Sequence, residues 1–210
     1  MGEAPEASER LFGGAMVVGP LLLVGSGVAF VNSEDGHNVD DLGGALLVYA
    51  FVAMTIAAIG LARVLEPLWP RVSSVVLVLS VLGCASGVGF GIDSIHAALP
   101  VGTNLEDADS VAAVVALFIP GAIFPLSFAA LGVALWRARV RPPLCGPLLV
   151  VAAVLFAAGN IPDIDALLII GDAMFVVALA PLGLARLRDR QGPEQRPLRR
   201  SGRMAPDSRS

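Results

Sequence analysis

Lysine is absent from this chain; all fourteen basic residues are arginine. A GC-rich coding bias leaves that imprint. Charge of either sign is scarce, at 15% of residues against about 25% in an average soluble domain. A chain with so little charge lacks the polar surface to cover a soluble globule. Histidine occurs only at His37 and His96, neither in the middle of an apolar run, which excludes a transmembrane haem held by paired histidines. The cysteines, Cys84 and Cys145, form no C-x-x-C pair, and each reads as a buried small hydrophobe. A phosphate-binding glycine loop between strand and helix is missing, so nucleotide binding is not expected. The arginines of the C-terminal stretch are too dispersed for a nucleic-acid site. No cofactor is expected.

Long apolar runs are what the chain has instead, with 56% hydrophobic residues. Runs of about 20 apolar residues each suffice to cross a bilayer core of roughly 30 Å as a helix. The short alternating segments of a membrane barrel are not present. The reading is an all-α, polytopic membrane protein. Its six spans fall at about 11–31, 42–65, 72–95, 111–136, 144–160 and 166–187, packed in one bundle. Residues 1–10 read as a polar tail, and 188–210, rich in Arg, Pro, Gly, Gln and Ser, as a disordered one. The first run lacks a basic leader and an A-x-A cleavage site, so it reads as a retained span. Pro120 and Pro125 are expected to kink the fourth span, since each removes a backbone donor.

Arginine placement orients the bundle. Arg10, Arg63, Arg71, Arg137, Arg139, Arg141 and the arginines from Arg186 onward fall on one side, and the three opposite connections carry none. The positive-inside rule then places both termini in the cytoplasm. Arg186, Arg188 and Arg190 lie where anionic lipid headgroups would meet them.

The even-numbered spans end alike, in Ile59-Gly60-Leu61-Ala62-Arg63, Leu131-Gly132-Val133-Ala134-Leu135 and Leu182-Gly183-Leu184-Ala185-Arg186. The first and fifth share Gly19-Pro20-Leu21-Leu22 and Gly146-Pro147-Leu148-Leu149. Three repeated helical hairpins would leave such matches, and so would chance in a chain this rich in Gly, Ala and Leu. The six short-looped spans and these G-L-A-R ends resemble small uncharacterised multi-pass integral membrane proteins of high-GC actinobacteria. The resemblance implies a helical membrane fold in a bacterial plasma membrane. It implies no activity and no site residues.

The third span carries Gly83, Gly87 and Gly91 at four-residue spacing, a stripe that lets a neighbouring backbone approach closely. Ser86, Gly89, Asp93 and His96 form a polar stripe roughly 140° away around the helix. A span with two such sides is expected at the centre of the bundle. Asp172 is the deeper oddity. It stands seven residues into the sixth span, roughly 10 Å below the surface. An ionised carboxylate at such depth costs at least about 2.5 kcal/mol, so it must face the interior and be partnered or protonated. Ser86 and Tyr49 lie at comparable depth, with Ser26 slightly shallower. Asp93, His96, Asn160, Asp163 and Asp165 roof the same layer.

Two readings follow for these groups. One is an outer-leaflet polar pocket formed by Asp172, Asp93, His96, Ser86, Tyr49 and Asn160, taking a small solute or a cation. The other is a scaffold or accessory protein with an unidentified protein partner, its polar groups serving only as interhelical hydrogen bonds. Asp93 and His96, with the acids of the connections, offer a weak hard-ion site. An intramembrane hydrolase is a distant third. Ser86 and His96 are ten residues apart on one helix, about 15 Å, too far for nucleophile and base. An aspartyl site at Asp93 and Asp172 lacks the G-x-G-D pattern.

Overall fold

The computed structural model of the chain describes residues 3–33, 39–99, 111, 114–160 and 164–188. These residues form six α-helices and one short π-helical turn, without strands. They are α1 (Glu3–Val31), α2 (Asp41–Leu65), α3 (Pro70–Ala97), α4 (Ile119–Arg137), α5 (Cys145–Asn160) and α6 (Asp165–Arg188); the π turn is Val114–Phe118. Five helices are long and apolar enough to cross a membrane, and α5 is a shorter apolar helix of 16 residues. The chain is thus an all-helical, multi-pass membrane bundle.

Two boundaries depart from the sequence reading. Helix α1 begins at Glu3, so most of the expected polar tail is helical. The fourth span is not one kinked helix. Pro120 sits in the first turn of α4, where a missing N–H leaves no helical bond unmade, and the chain before it winds as the π turn. Only Pro125 lies inside α4. The expected disordered tail from residue 189 onward lies outside the described residues.

The helices stand in a ring in chain order. Each packs mainly on its two neighbours, and α6 closes the ring against α1. Outward faces are apolar, as lipid requires: Leu21 and Val28 on α1, Val75 and Val78 on α3, Val154 on α5 and Val177 on α6 are all exposed. The serines turn inward or into the seams, Ser26, Ser73, Ser80, Ser86, Ser94 and Ser127 all being buried.

The seams are close because glycines line them. A methyl group on Gly44 of α2 would stand 2.6 Å from the Gly91 carbonyl of α3, and one on Gly91 would stand 2.7 Å from the Gly44 carbonyl. Gly132 with Gly146 joins α4 to α5 in the same reciprocal way, and Gly13 with Gly183 joins α1 to α6. The expectation that α3 is the packing centre therefore gives way. Close approach occurs at seams around the whole ring, and α3 is one stave of six. The matched span ends are not equivalent either. Gly132 and Gly183 face the next helix of the ring, whereas Gly60 faces the preceding one, against Phe12.

One half of the ring is filled solid. Phe124 lies at the hub, its ring centroid 4.9 Å from Phe51, 4.8 Å from Phe128, 5.1 Å from Phe156 and 5.7 Å from Phe175. Beyond Phe128 and Phe175, toward the arginine-rich end, Met16, Met54, Leu131, Leu135, Leu149 and Leu179 complete the core. At that end Arg186 of α6 donates to the Gly60 carbonyl of α2 at 3.0 Å and pairs with Glu9 of α1 at 3.4 Å. Arg63 stacks over the Phe12 ring at 4.8 Å.

Candidate functional site

The other half of the ring is hollow. A cavity of about 370 Å³ occupies it, walled by side chains from all six helices and the π turn. It runs from the Phe51, Phe124 and Phe156 rings, which form its floor, toward the bundle end where Asn160 terminates α5. That end carries the connections without arginine.

Asp172 is in this cavity. Its side chain is 1% exposed, and its Oδ1 has no hydrogen-bond partner among the described residues. Room for the carboxylate comes from Gly27 across the α1–α6 seam; a methyl group there would stand 2.7 Å from Asp172 Oδ2. Among the described residues, no basic one lines the cavity.

The remaining polar side chains of the lining are hydrogen-bonded to backbone carbonyls. Ser26 Oγ donates to the Gly43 carbonyl at 2.8 Å, Ser94 Oγ to the Phe90 carbonyl at 3.0 Å, and Asn160 Nδ2 to the Phe156 carbonyl at 2.8 Å. Each keeps oxygen lone pairs. Pro125, in the cavity wall, has no N–H to offer the Gly121 carbonyl four residues earlier, and Gly121 lines the same wall. The polar inventory is thus one carboxylate, several acceptors and the second N–H of the Asn160 amide. Six phenylalanines (Phe30, Phe51, Phe90, Phe118, Phe124 and Phe156) supply most of the rest.

Of the residues picked out in the sequence, Asp172 and Asn160 line this cavity together, and Gly83 and Gly87 form part of its wall. The others lie elsewhere. Tyr49 is 67% exposed on the outward face of α2, where an amphipathic ring suits lipid better than a packed interior. Ser86 is buried but turned into the seam, donating to the Leu117 carbonyl of the π turn at 2.5 Å. Asp93 is 6% exposed and engaged in an interaction of its own, and His96 is exposed in the last turn of α3; neither lines the cavity. Gly91 packs on α2. Asp165 is exposed at the start of α6, and Asp163 lies outside the described residues. Among the described residues no three His, Cys, Asp or Glu side chains gather as a metal site. Ser94 and Gly27 join Asp172 without having been placed there from sequence, and Ser26, read at nearly the same depth, lines the cavity as well. The signal for Ser26 was its depth; Gly27 gave none.

The chain matches no family model, no curated protein and no solved structure. Its geometry is the ground for a functional reading.

Proposed function

We propose that the protein is a solute-binding, transport-like membrane protein of a bacterial plasma membrane, with both termini cytoplasmic and the cavity facing outward. The observation that carries this reading is Asp172. A buried acid kept only to hold helices together would have its oxygens bonded, because an unpartnered polar group in an apolar interior costs stability. Here Oδ1 has no partner among the described residues, and the side chain belongs to the wall of a cavity of ligand size. The orientation is supported by the arginines, which cluster at the filled end of the ring.

The scaffold reading has support of its own in the seam hydroxyls: Ser73 donates to the Ala62 carbonyl at 2.7 Å, and Ser86 and Ser26 bridge helices likewise. It accounts for those serines and leaves Asp172 unaccounted for.

The test is access. Ala157 lines the cavity, whereas the native Cys84 and Cys145 are buried and give little background. In intact cells, Ala157→Cys is expected to react with a membrane-impermeant maleimide added outside. Reaction only in inverted vesicles, or only after denaturation, would sink the outward-facing cavity. Asp172→Asn is expected to keep the protein at normal level in the membrane.

A further inference from the structure

We infer that the ligand of this cavity is a small protonated amine with an apolar body, its ammonium hydrogens taken by Asp172 and the acceptors around it. The inference rests on the cavity being a ligand site, as proposed above, and it adds the chemical class. Four observations converge on it. Among the described residues the only formal charge in the lining is negative, and no arginine or histidine of theirs stands within the wall to neutralise it. An anionic solute would meet Asp172 with nothing to offset the repulsion.

The second observation is the direction of the hydrogen bonds. Ser26 and Ser94 have committed their hydroxyl hydrogens to the Gly43 and Phe90 carbonyls, and Asn160 gives one of its two amide hydrogens to the Phe156 carbonyl, so what the serines turn to a ligand is lone pairs. A ligand that satisfies this set must bring donors. An ammonium brings up to three.

Third, the donor set does not suit a metal ion. Calcium takes six to eight oxygens, several of them carboxylate, and magnesium demands a near-octahedral shell. This wall holds one carboxylate, and no cluster of three ligating side chains occurs among the described residues.

Fourth, six phenylalanines line the cavity to which the acid belongs. Aromatic faces attract cations, more strongly once water is excluded, and their edges and neighbours accept an apolar body. The space of about 370 Å³ matches a small organic molecule and is far larger than a bare ion needs.

The experiment uses the full-length protein in detergent micelles or nanodiscs. Thermal unfolding is followed by the fluorescence of Trp69 and Trp136. A bound ligand raises the midpoint by mass action. The probe is phenethylammonium. Its neutral counterpart is 2-phenylethanol, its counterpart without N–H donors is phenethyltrimethylammonium, and sodium, potassium and calcium chlorides stand for inorganic cations. The expected result is saturable stabilisation by phenethylammonium, at least tenfold weaker apparent affinity for the alcohol and for the quaternary ion, and no effect of the salts. Asp172→Asn should abolish the preference for the amine over the alcohol, and Asp172→Glu should restore part of it.

Stabilisation by an inorganic cation, or by the alcohol and the amine alike, that depends on Asp172 would overturn the amine assignment and leave the ligand site standing. Absence of any shift, with Ala157→Cys still labelled from outside, also overturns the amine. Absence of any shift together with an unlabelled Ala157→Cys overturns both readings.

Discussion

Asp172 and Gly27 face each other across the seam between the first and last helices, and the pair sets what the cavity can do. Adding a methyl at Gly27 pushes on the end of a short side chain rather than on backbone, so the carboxylate turns aside and the seam holds. Gly27→Ala is therefore expected to weaken phenethylammonium binding about tenfold, a loss of about 1.4 kcal/mol, while the thermal midpoint without ligand stays close to wild type. Titrating the amine against both proteins in the same unfolding assay checks this. Asp172 was legible in the sequence because a charge seven residues into a span is expensive, and expense implies a reason. Tyr49 and Ser86 were misplaced for a related cause. Depth along a helix follows from counting residues, but the direction a side chain takes depends on neighbours that counting does not supply. A tyrosine is content against lipid, and a serine is content with any carbonyl across a seam.

At the scale of helices, the apolar runs were legible because hydrocarbon thickness dictates their length, although α1 begins at Glu3 and α4 only at Ile119. Their faces were not. A soluble helix marks its core side by contrast with a polar side; here lipid and core are both apolar, and the contrast vanishes. The glycines carry part of the missing information, since small residues must lie where backbones meet. Gly83 illustrates it: a methyl group there would stand 2.5 Å from the Phe124 Cα, a backbone atom that cannot step aside. Gly83→Ala is expected to cost about 1–3 kcal/mol through overpacking. Gly14→Ala, on α1 with nothing within 4 Å, is expected to cost nothing. Comparing the two midpoints separates seam glycines from merely frequent ones. The Pro120 and Pro125 pair was legible as a disturbance, but not its form. The first proline became a helix start behind a π turn, because a ring without N–H is best placed where no bond is due.

For the molecule as a whole, no local pattern announced a closed ring, since any helix of an all-apolar set packs acceptably on any other. Closure is decided by specific contacts at long range in the chain. Arg186 is the clearest, tying α6 to both α1 and α2 through Glu9 and the Gly60 carbonyl. Arg186→Met is expected to lower stability by about 1.5–3 kcal/mol, the range for hydrogen bonds to a charged group. Arg188→Met, two residues later and exposed, is the matched control and should leave the midpoint unchanged.

Ring closure by α6 also orders events during synthesis. The helix that carries the acid is the last of the six to be made, so when Asp172 enters the bilayer the other five walls of its chamber already exist. The carboxylate need never wait in lipid for a place to go. Until α6 arrives, the nascent bundle is an open crescent with α1 and α5 at its horns, each showing a bare glycine edge at Gly13 and Gly159. A ribosome stalled within the last helix would leave that crescent in the membrane, a shape that quality-control proteases and stray helices are well suited to find.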